Sequence, residues 1–310
     1  MPPEIQPLAT VTICTRNRAR SLARTLRSVV AAAAKVSEPW ELLVVDNGCT
    51  DDTQQVIASF ADALPIRSVV QPVPGLSNAR NAGAAAANGR FIIWTDDDVL
   101  VDEGWLQAYC AAFAAHPECG VFGGRAVPRY DQPVTPWFVA SEAHLNFLLA
   151  IRDSADWTAI TPERLPYGLN YAVRTDIQRR YPYDPNLGVA PGRRMGGEET
   201  TMVGAALADG VTGRWVWGST VYHLIPPERQ TTAYIFQYYR SLGYSHPKLP
   251  LETDPATRAR AFATASLRLL RKGAMAAARR VSGSGQWVAS YTEYARTVGA
   301  FDRLRNRQPV

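Results

Sequence analysis

Four short apolar runs of β type alternate with three helical patterns through the first hundred residues. The strands are Ala9-Thr-Val-Thr-Ile-Cys14, Glu41-Leu-Leu-Val-Val-Asp46, Ile66 to Gln71 and Phe91-Ile-Ile-Trp94. Between them, Ser21 to Ala33 sets Leu22, Leu26, Val29 and Val30 on one helical face. Asp51 to Ala61 reads as a second helix with Thr50 as its N-cap. A third runs from Ser77 to Ala87, between Pro72-Val-Pro-Gly75 and Asn88-Gly89. Such alternation restricts the chain to a parallel sheet with right-handed crossovers. The uninterrupted apolar stretch of the second strand requires cover on both sheet faces. Ligands of such sheets gather at the carboxyl ends of the strands. Those ends carry Thr15-Arg16-Asn17-Arg18, Asp46-Asn47 and Asp96-Asp97-Asp98.

The rest of the chain is less regular. Helices are expected at Gly104 to Ala115, near Pro136 to Ile151, from Gly196-Gly197-Glu198-Glu199 to Ala208, and from Thr231 to Leu242. Strands are expected at Gly120 to Val127, Tyr167 to Val173 and Arg214 to His223. Residues 247–255 read as a linker, and two more helices follow at 256–280 and 286–299. The expected organisation is a catalytic domain over 1–246, with halves 8–100 and 101–246, and a basic helical extension over 256–310.

Charge separates the same two parts. Residues 251–310 carry eleven Lys/Arg against four acids, a net +7, which leaves −2 for the first 250 residues. A main domain of that sign gives no reason to expect nucleic acid as a partner. Cys14, Cys49, Cys110 and Cys119 form no CxxC pair, so four reduced thiols in a cytoplasmic protein are expected. Met1 to Pro7 has neither the basic nor the apolar region of a signal peptide. No run of eighteen apolar residues occurs, so no membrane span is expected.

Three adjacent carboxylates repel one another unless a cation neutralises them. Mg²⁺ or Mn²⁺, held by one or two carboxylates and substrate phosphates, is the natural partner for Asp96 to Asp98. A solvated acidic turn is the plainer alternative. Glu198 and Glu199 open a helix, where the macrodipole favours acids; either could instead take a proton from an acceptor hydroxyl. His223 closes a strand and suits a transition-type ion, although a lone histidine is more often structural. Arg80, early on a helix after a Pro/Gly turn, suits an oxyanion through its planar fork.

In order and spacing, these blocks resemble the family-2 glycosyltransferases, which have the GT-A fold. The matching stretches are Val11 to Arg18, Leu43 to Asp51, Gly75 to Gly83, Phe91 to Val99, Gly197-Glu-Glu199 and His223. The resemblance implies an α/β fold with a Rossmann-like, mostly parallel central sheet flanked by helices. It implies a nucleotide site of Thr15, Arg16, Arg18, Asp46, Arg80, Asp96 and Asp97, with Asp46 accepting a hydrogen bond from the base. It places Asp96 and Asp98 at the ends of the DxD motif, with Asp98 as metal ligand, Asp96 reaching ribose or metal, and His223 completing the site. Glu199 falls at the position of the family's catalytic base, with Glu198 as its rival. The implied reaction is inverting transfer from a nucleoside-diphosphate sugar to a glycan, lipid-linked or small-molecule acceptor, as in bacterial-type polysaccharide or glycoconjugate assembly.

Processive relatives carry QxxRW, whereas Gln237-Tyr-Tyr-Arg240 is followed here by Ser241. Transfer of one or a few sugars is therefore expected. Trp137 and Trp157, with Phe138, offer faces for acceptor sugars, although aromatics are more often core. A helical wheel of 256–280 sets Ala259, Phe262, Ala263, Leu269 and Leu270 against Arg260, Arg268, Arg271, Lys272 and Arg279. Such a helix can lie peripherally on an inner, anionic membrane face, or pack on the protein with its basic side solvated. Two other functions would use parts of the same sequence. An inactive sugar-nucleotide-binding module would lack the base or the metal ligands. A haloacid-dehalogenase-type phosphatase would use Asp96 as nucleophile, but its motif belongs on a first strand and three strands precede it here.

Overall fold

The computed structural model describes residues 6–245 and 255–305. The expected linker at 247–255 lies, up to residue 254, outside the described residues. The first part of the chain runs β1 (Ala9–Thr15), α1 (Ala19–Ala33), β2 (Trp40–Asp46), α2 (Thr53–Ala58), β3 (Ile66–Val70), α3 (Leu76–Ala86) and β4 (Phe91–Asp96). Next come β5 (Val99–Val101), α4 (Trp105–Ala115), β6 (Val121–Arg129), α5 (Pro136–Val139), α6 (Asn146–Leu149), β7 (Asn170–Arg174) and α7 (Thr175–Arg180). The hairpin of β8 (Val189–Ala190) and β9 (Arg193–Arg194) precedes α8 (Glu198–Ala208) and β10 (Gly213–Leu224). The chain closes with α9 (Thr232–Ser245), α10 (Pro255–Val281) and α11 (Trp287–Leu304).

By internal packing the chain divides into two units. The first comprises Met1–Arg129, Ala150–Gly188 and Gly197–Leu224. It holds one eight-stranded sheet of order β3-β2-β1-β4-β7-β6-β10-β5. Strands β3, β2, β1 and β4 run parallel, β7 is antiparallel to both its neighbours, and β5 is antiparallel to β10. The period of two along β4 serves both faces. Phe91 and Ile93 enter a core with Leu22, Leu26, Val44, Tyr109 and Phe122; Ile92 and Trp94 enter another with Tyr171, Val173, Tyr183 and Val203. Leu42 to Val45 are all fully buried, as the covered-sheet reading requires.

The second unit comprises Tyr130–Leu149, Val189–Gly196 and Ile225–Val310. Here the single helical stretch expected near 136–151 is broken into α5, a 3₁₀ turn at Glu142–His144 and α6. Helix α11 packs on both α9 and α10. Arg240, the arginine of the incomplete QxxRW pattern, is committed to Asp302 on α11, Nε to Oδ2 at 2.7 Å. No helix among the described residues is long and apolar enough to cross a membrane.

One helix start differs from expectation. Thr50 does not cap α2, which begins at Thr53 after Asp52. The Thr50 amide instead donates to Asn17 Oδ1 at 2.7 Å. The Asp51 carboxylate takes both the Thr53 amide and its hydroxyl, and so fixes the first turn in place of Thr50.

Candidate active site

Register alone assembles the polar edge. Thr15 pairs with Asp46, and Cys14 with Asp96, so the parallel strands β1, β2 and β4 end level. Asp97 and Asp98 form the tight turn from β4 into β5. Strand β5 pairs antiparallel with β10, setting His223 opposite Val99 and next to the triplet. The Leu224 amide donates to the Asp98 carbonyl at 3.0 Å, which locks that corner.

The three aspartates face three ways. Asp97 is buried; its Oδ2 accepts from the Thr15 hydroxyl at 2.7 Å and its Oδ1 from Arg18 at 2.6 Å. Burial pushes the Asp97 carboxyl up to about 6, helped by Asp98 and opposed by Arg18 and Thr15. Asp98 accepts from the same Arg18 nitrogen at 3.1 Å, and its other oxygen stands 4.0 Å from His223 Nε2. Asp96 turns to Arg80, 3.4 Å away, with its side chain one-third exposed. Asp97 is thus a buried clamp on β1, and Asp98 is the carboxylate that faces His223.

Arg80 links this turn to the two glutamates. It is 2% exposed although it lies on a helix. Its Nη1 donates to Glu198 at 2.7 Å and lies 4.0 Å from Glu199; its Nη2 reaches Asp96. The Tyr183 ring lies beneath it, 5.6 Å from centroid to guanidinium carbon, and Tyr171 and Tyr183 bond to each other through their hydroxyls. Gly197, at φ +95°, turns the chain into α8 and brings both glutamates into the first turn. Adjacent helical residues point about 100° apart, so Glu198 is buried while Glu199 stays more open. Burial, together with Glu199, raises the Glu198 carboxyl above its ordinary value, against the pull of Arg80.

Sequence reasoning missed the wall that holds Arg80. A Cβ at Gly168 would overlap the guanidinium, and only a bare backbone fits there. Gly168→Ala is therefore expected to displace Arg80 and cost about 1–3 kcal/mol, as overpacking does. A urea melt at wild-type stability would refute that. No local sequence pattern signals this contact, because Gly168 and Arg80 are far apart in the chain.

Arg16 follows the end of β1, and Asp46 closes β2. Arg16 braces the loop after β2, donating to the Asn47 carbonyl at 2.6 Å. Asp46 accepts the Cys49 amide at 2.7 Å and Gln54 Nε2 at 2.6 Å. Burial would raise its carboxyl, but these donors hold it below its ordinary value. Asn47, buried among these loops, donates to the Gln71 and Val73 carbonyls and accepts from the Gly75 amide. It fixes the approach to α3 and hence to Arg80. The two tryptophans are held by other rings. Trp157 packs on Trp215 and Trp217, with centroids 5.3 and 6.2 Å away. Trp137 packs within the second unit on Phe138 and Trp287. All four cysteines are free thiols.

Among the described residues, no group of three or more His, Cys, Asp or Glu could hold a metal by itself. The protein offers a facing carboxylate and imidazole, Asp98 and His223, with Asp96 on the same turn. That donor set fits a divalent ion completed by phosphate oxygens, the usual arrangement for Mg²⁺ and open to Mn²⁺.

A family model described as glycosyl transferase family 2 matches residues 10–170. The validoxylamine A glucosyltransferase of Streptomyces hygroscopicus subsp. jinggangensis is 38% identical over 110 residues, covering 35% of this chain and 26% of that protein. The chain spans about a quarter to a third of the length of the first such curated relatives, 26%, 24% and 34%. Among solved structures, the mannosyltransferase PcManGT of Pyrobaculum calidifontis, in complex with GDP-Man and Mn²⁺, aligns with TM-score 0.61 at 20% identity, over 99% of this chain and 89% of that one. S. aureus TarS 1–349, in complex with UDP-GlcNAc, aligns with TM-score 0.54 at 14% identity, over 96% and 92%. These likenesses show the GT-A arrangement of sheet and helices.

Proposed function

The chain belongs to glycosyl transferase family 2, and from that premise we propose that it moves a sugar from a nucleoside diphosphate to an acceptor hydroxyl with inversion. One observation carries the reading: a single buried arginine, Arg80, joins the metal-type turn at Asp96 to the acidic helix start at Glu198 and Glu199. A leaving-group end and a proton-accepting end are thereby held at one sheet edge.

Glu199 is the base. It lies on the helix rim, while Glu198 is taken up by Arg80. It removes the proton from the acceptor oxygen as that oxygen attacks the anomeric carbon in line. Arg16, Asp46 and Asn47 shape the nucleoside end, and Thr15 and Arg18 hold the aspartate turn that faces the diphosphate. Asp98 and His223 would hold a divalent ion, with Asp96 toward the ribose or the ion. Such an ion, when bound, stabilises the charge on the departing diphosphate. The acceptor is a glycan, a lipid-linked saccharide or a small molecule, in polysaccharide or glycoconjugate assembly on the cytoplasmic side. Family membership leaves the phosphatase reading without support. The inactive-module reading is disfavoured by the presence of both a base and a metal-type donor pair.

Thermal unfolding with UDP, GDP, dTDP or CMP, each with Mn²⁺, Mg²⁺ or EDTA, tests the site. A ligand at a hundred times its Kd adds about 2.7 kcal/mol, a shift of about 4 °C for a chain of this size. One nucleotide should give a metal-dependent shift that Asp98→Ala abolishes. A cooperative melt that no nucleotide moves would reject the proposal.

A further inference from the structure

Helix α10 is built inside out for a helix that only has to fold. Its buried positions among those described are the small residues Ala265 and Ala276. Three of its large apolar side chains point well outward: Leu267 is 70% exposed, Leu270 72% and Val281 90%. An amphipathic helix serving only the core would reverse that pattern. Five of the ten exposed large hydrophobic side chains among the described residues lie on this one helix.

The exposed residues form a line. Ala263, Leu267, Leu270, Ala274, Ala277 and Val281 follow one another at spacings of four and three, and all are exposed. Such a row is straight along a helix and about 27 Å long. The sequence wheel pairs Leu269 with Leu270; in the fold Leu269 is half-buried and Leu267 takes its place outside. Two of the cations assigned to a solvated face turn to α11 instead. Lys272 reaches Glu293 at 2.7 Å, and Arg279 reaches the Ser290 hydroxyl at 2.8 Å. Arg260, Arg268, Arg271 and Arg280 remain exposed beside the apolar row.

Charge selects what can cover this row. Pro255–Val281 contains seven Lys/Arg and no acid. A second copy docked through the same face would oppose arginine to arginine, which disfavours self-association. An anionic bilayer suits both features: leucines enter the acyl boundary while flanking arginines stay among the headgroups. We propose that α10 is a peripheral membrane helix that lies on anionic lipid through the row Leu267, Leu270 and Val281. The inference goes beyond the catalytic reading and uses none of its residues.

Vesicle flotation of the full chain tests it, with phosphatidylcholine alone and with added phosphatidylglycerol. Binding is expected only to the anionic vesicles, and it should weaken with salt. Leu267→Glu with Leu270→Glu should lower the partition coefficient at least about tenfold. Arg268→Gln with Arg271→Gln should lower it about 30-fold at low salt. Every variant should keep the wild-type melt and the wild-type nucleotide shift, which separates failure of this proposal from failure of the catalytic one. Equal binding to neutral vesicles, or unchanged binding by folded variants, would overturn it. So would sedimentation showing a dimer that the leucine variant dissociates, with no vesicle binding by either protein.

Discussion

Glu199→Gln is expected to lower kcat by about 10²- to 10⁴-fold, the range for losing a positioned general base. The amide keeps the shape and polarity of the side chain but cannot accept the acceptor's proton. Folding should be little affected, because Glu199 stands 4.0 Å from Arg80, beyond hydrogen-bond distance. The nucleotide-dependent melting shift should persist, since the proposed donor end lies with Asp98 and His223. The informative control is Glu198→Gln. Its carbonyl can still accept from Arg80, so the pair survives as a hydrogen bond and kcat should stay within about tenfold of wild type. The comparison is decided by initial rates of acceptor glycosylation at saturating donor. If Glu198→Gln proves the dead variant and Glu199→Gln the active one, the assignment is reversed.

What the sequence made legible was local. Strands β1, β2 and β4 could be read because each is a short apolar run closed by polar residues, and a parallel sheet forces those ends to one edge. Contacts between distant segments were not legible. His223 reaches Asp98 only because β10 pairs antiparallel with β5, a three-residue strand too short for any periodicity to mark. Thr15 and Arg18 were legible as polar residues at a strand end; that Thr15 bonds Asp97 and Arg18 bonds both Asp97 and Asp98 is something residue type cannot reveal. Arg80 was recognisable as an anion-binding residue. Its near-complete burial was not, since an arginine on a helix reads as surface until the Gly168 wall and the Tyr171–Tyr183 pair are known. On α10 the period was plain, but which side faces α11 depends on the partner, and that choice turned Leu267 outward.

Arg80→Met is expected to be the most damaging single change to stability, by about 3–5 kcal/mol, the range for breaking one side of a buried ion pair. The guanidinium serves Glu198, Asp96 and Glu199 at once, and methionine fills its volume without offering a donor. Glu198, 4% exposed, is then left without its cation. The pH dependence has a definite sign. A carboxyl held above its ordinary value of 4.5 in the fold adds no penalty below that value and costs stability as pH rises through the folded pKa. The wild-type folded value is about 8 and removing Arg80 raises it further, so the variant's deficit should stay level below that value and widen from pH 7 to pH 9. Urea melts at the two pH values check this. Arg80→Lys should rescue only part of the loss, because one ammonium cannot span carboxylates on two elements as the planar fork does. Arg80→Met with Glu198→Leu should regain most of the stability, since an apolar pair can replace a buried ionic one. That double variant should nonetheless stay low in kcat, because Glu199 no longer has a fixed neighbour to set its position. Full recovery of both stability and kcat would mean that Arg80 serves only to neutralise Glu198.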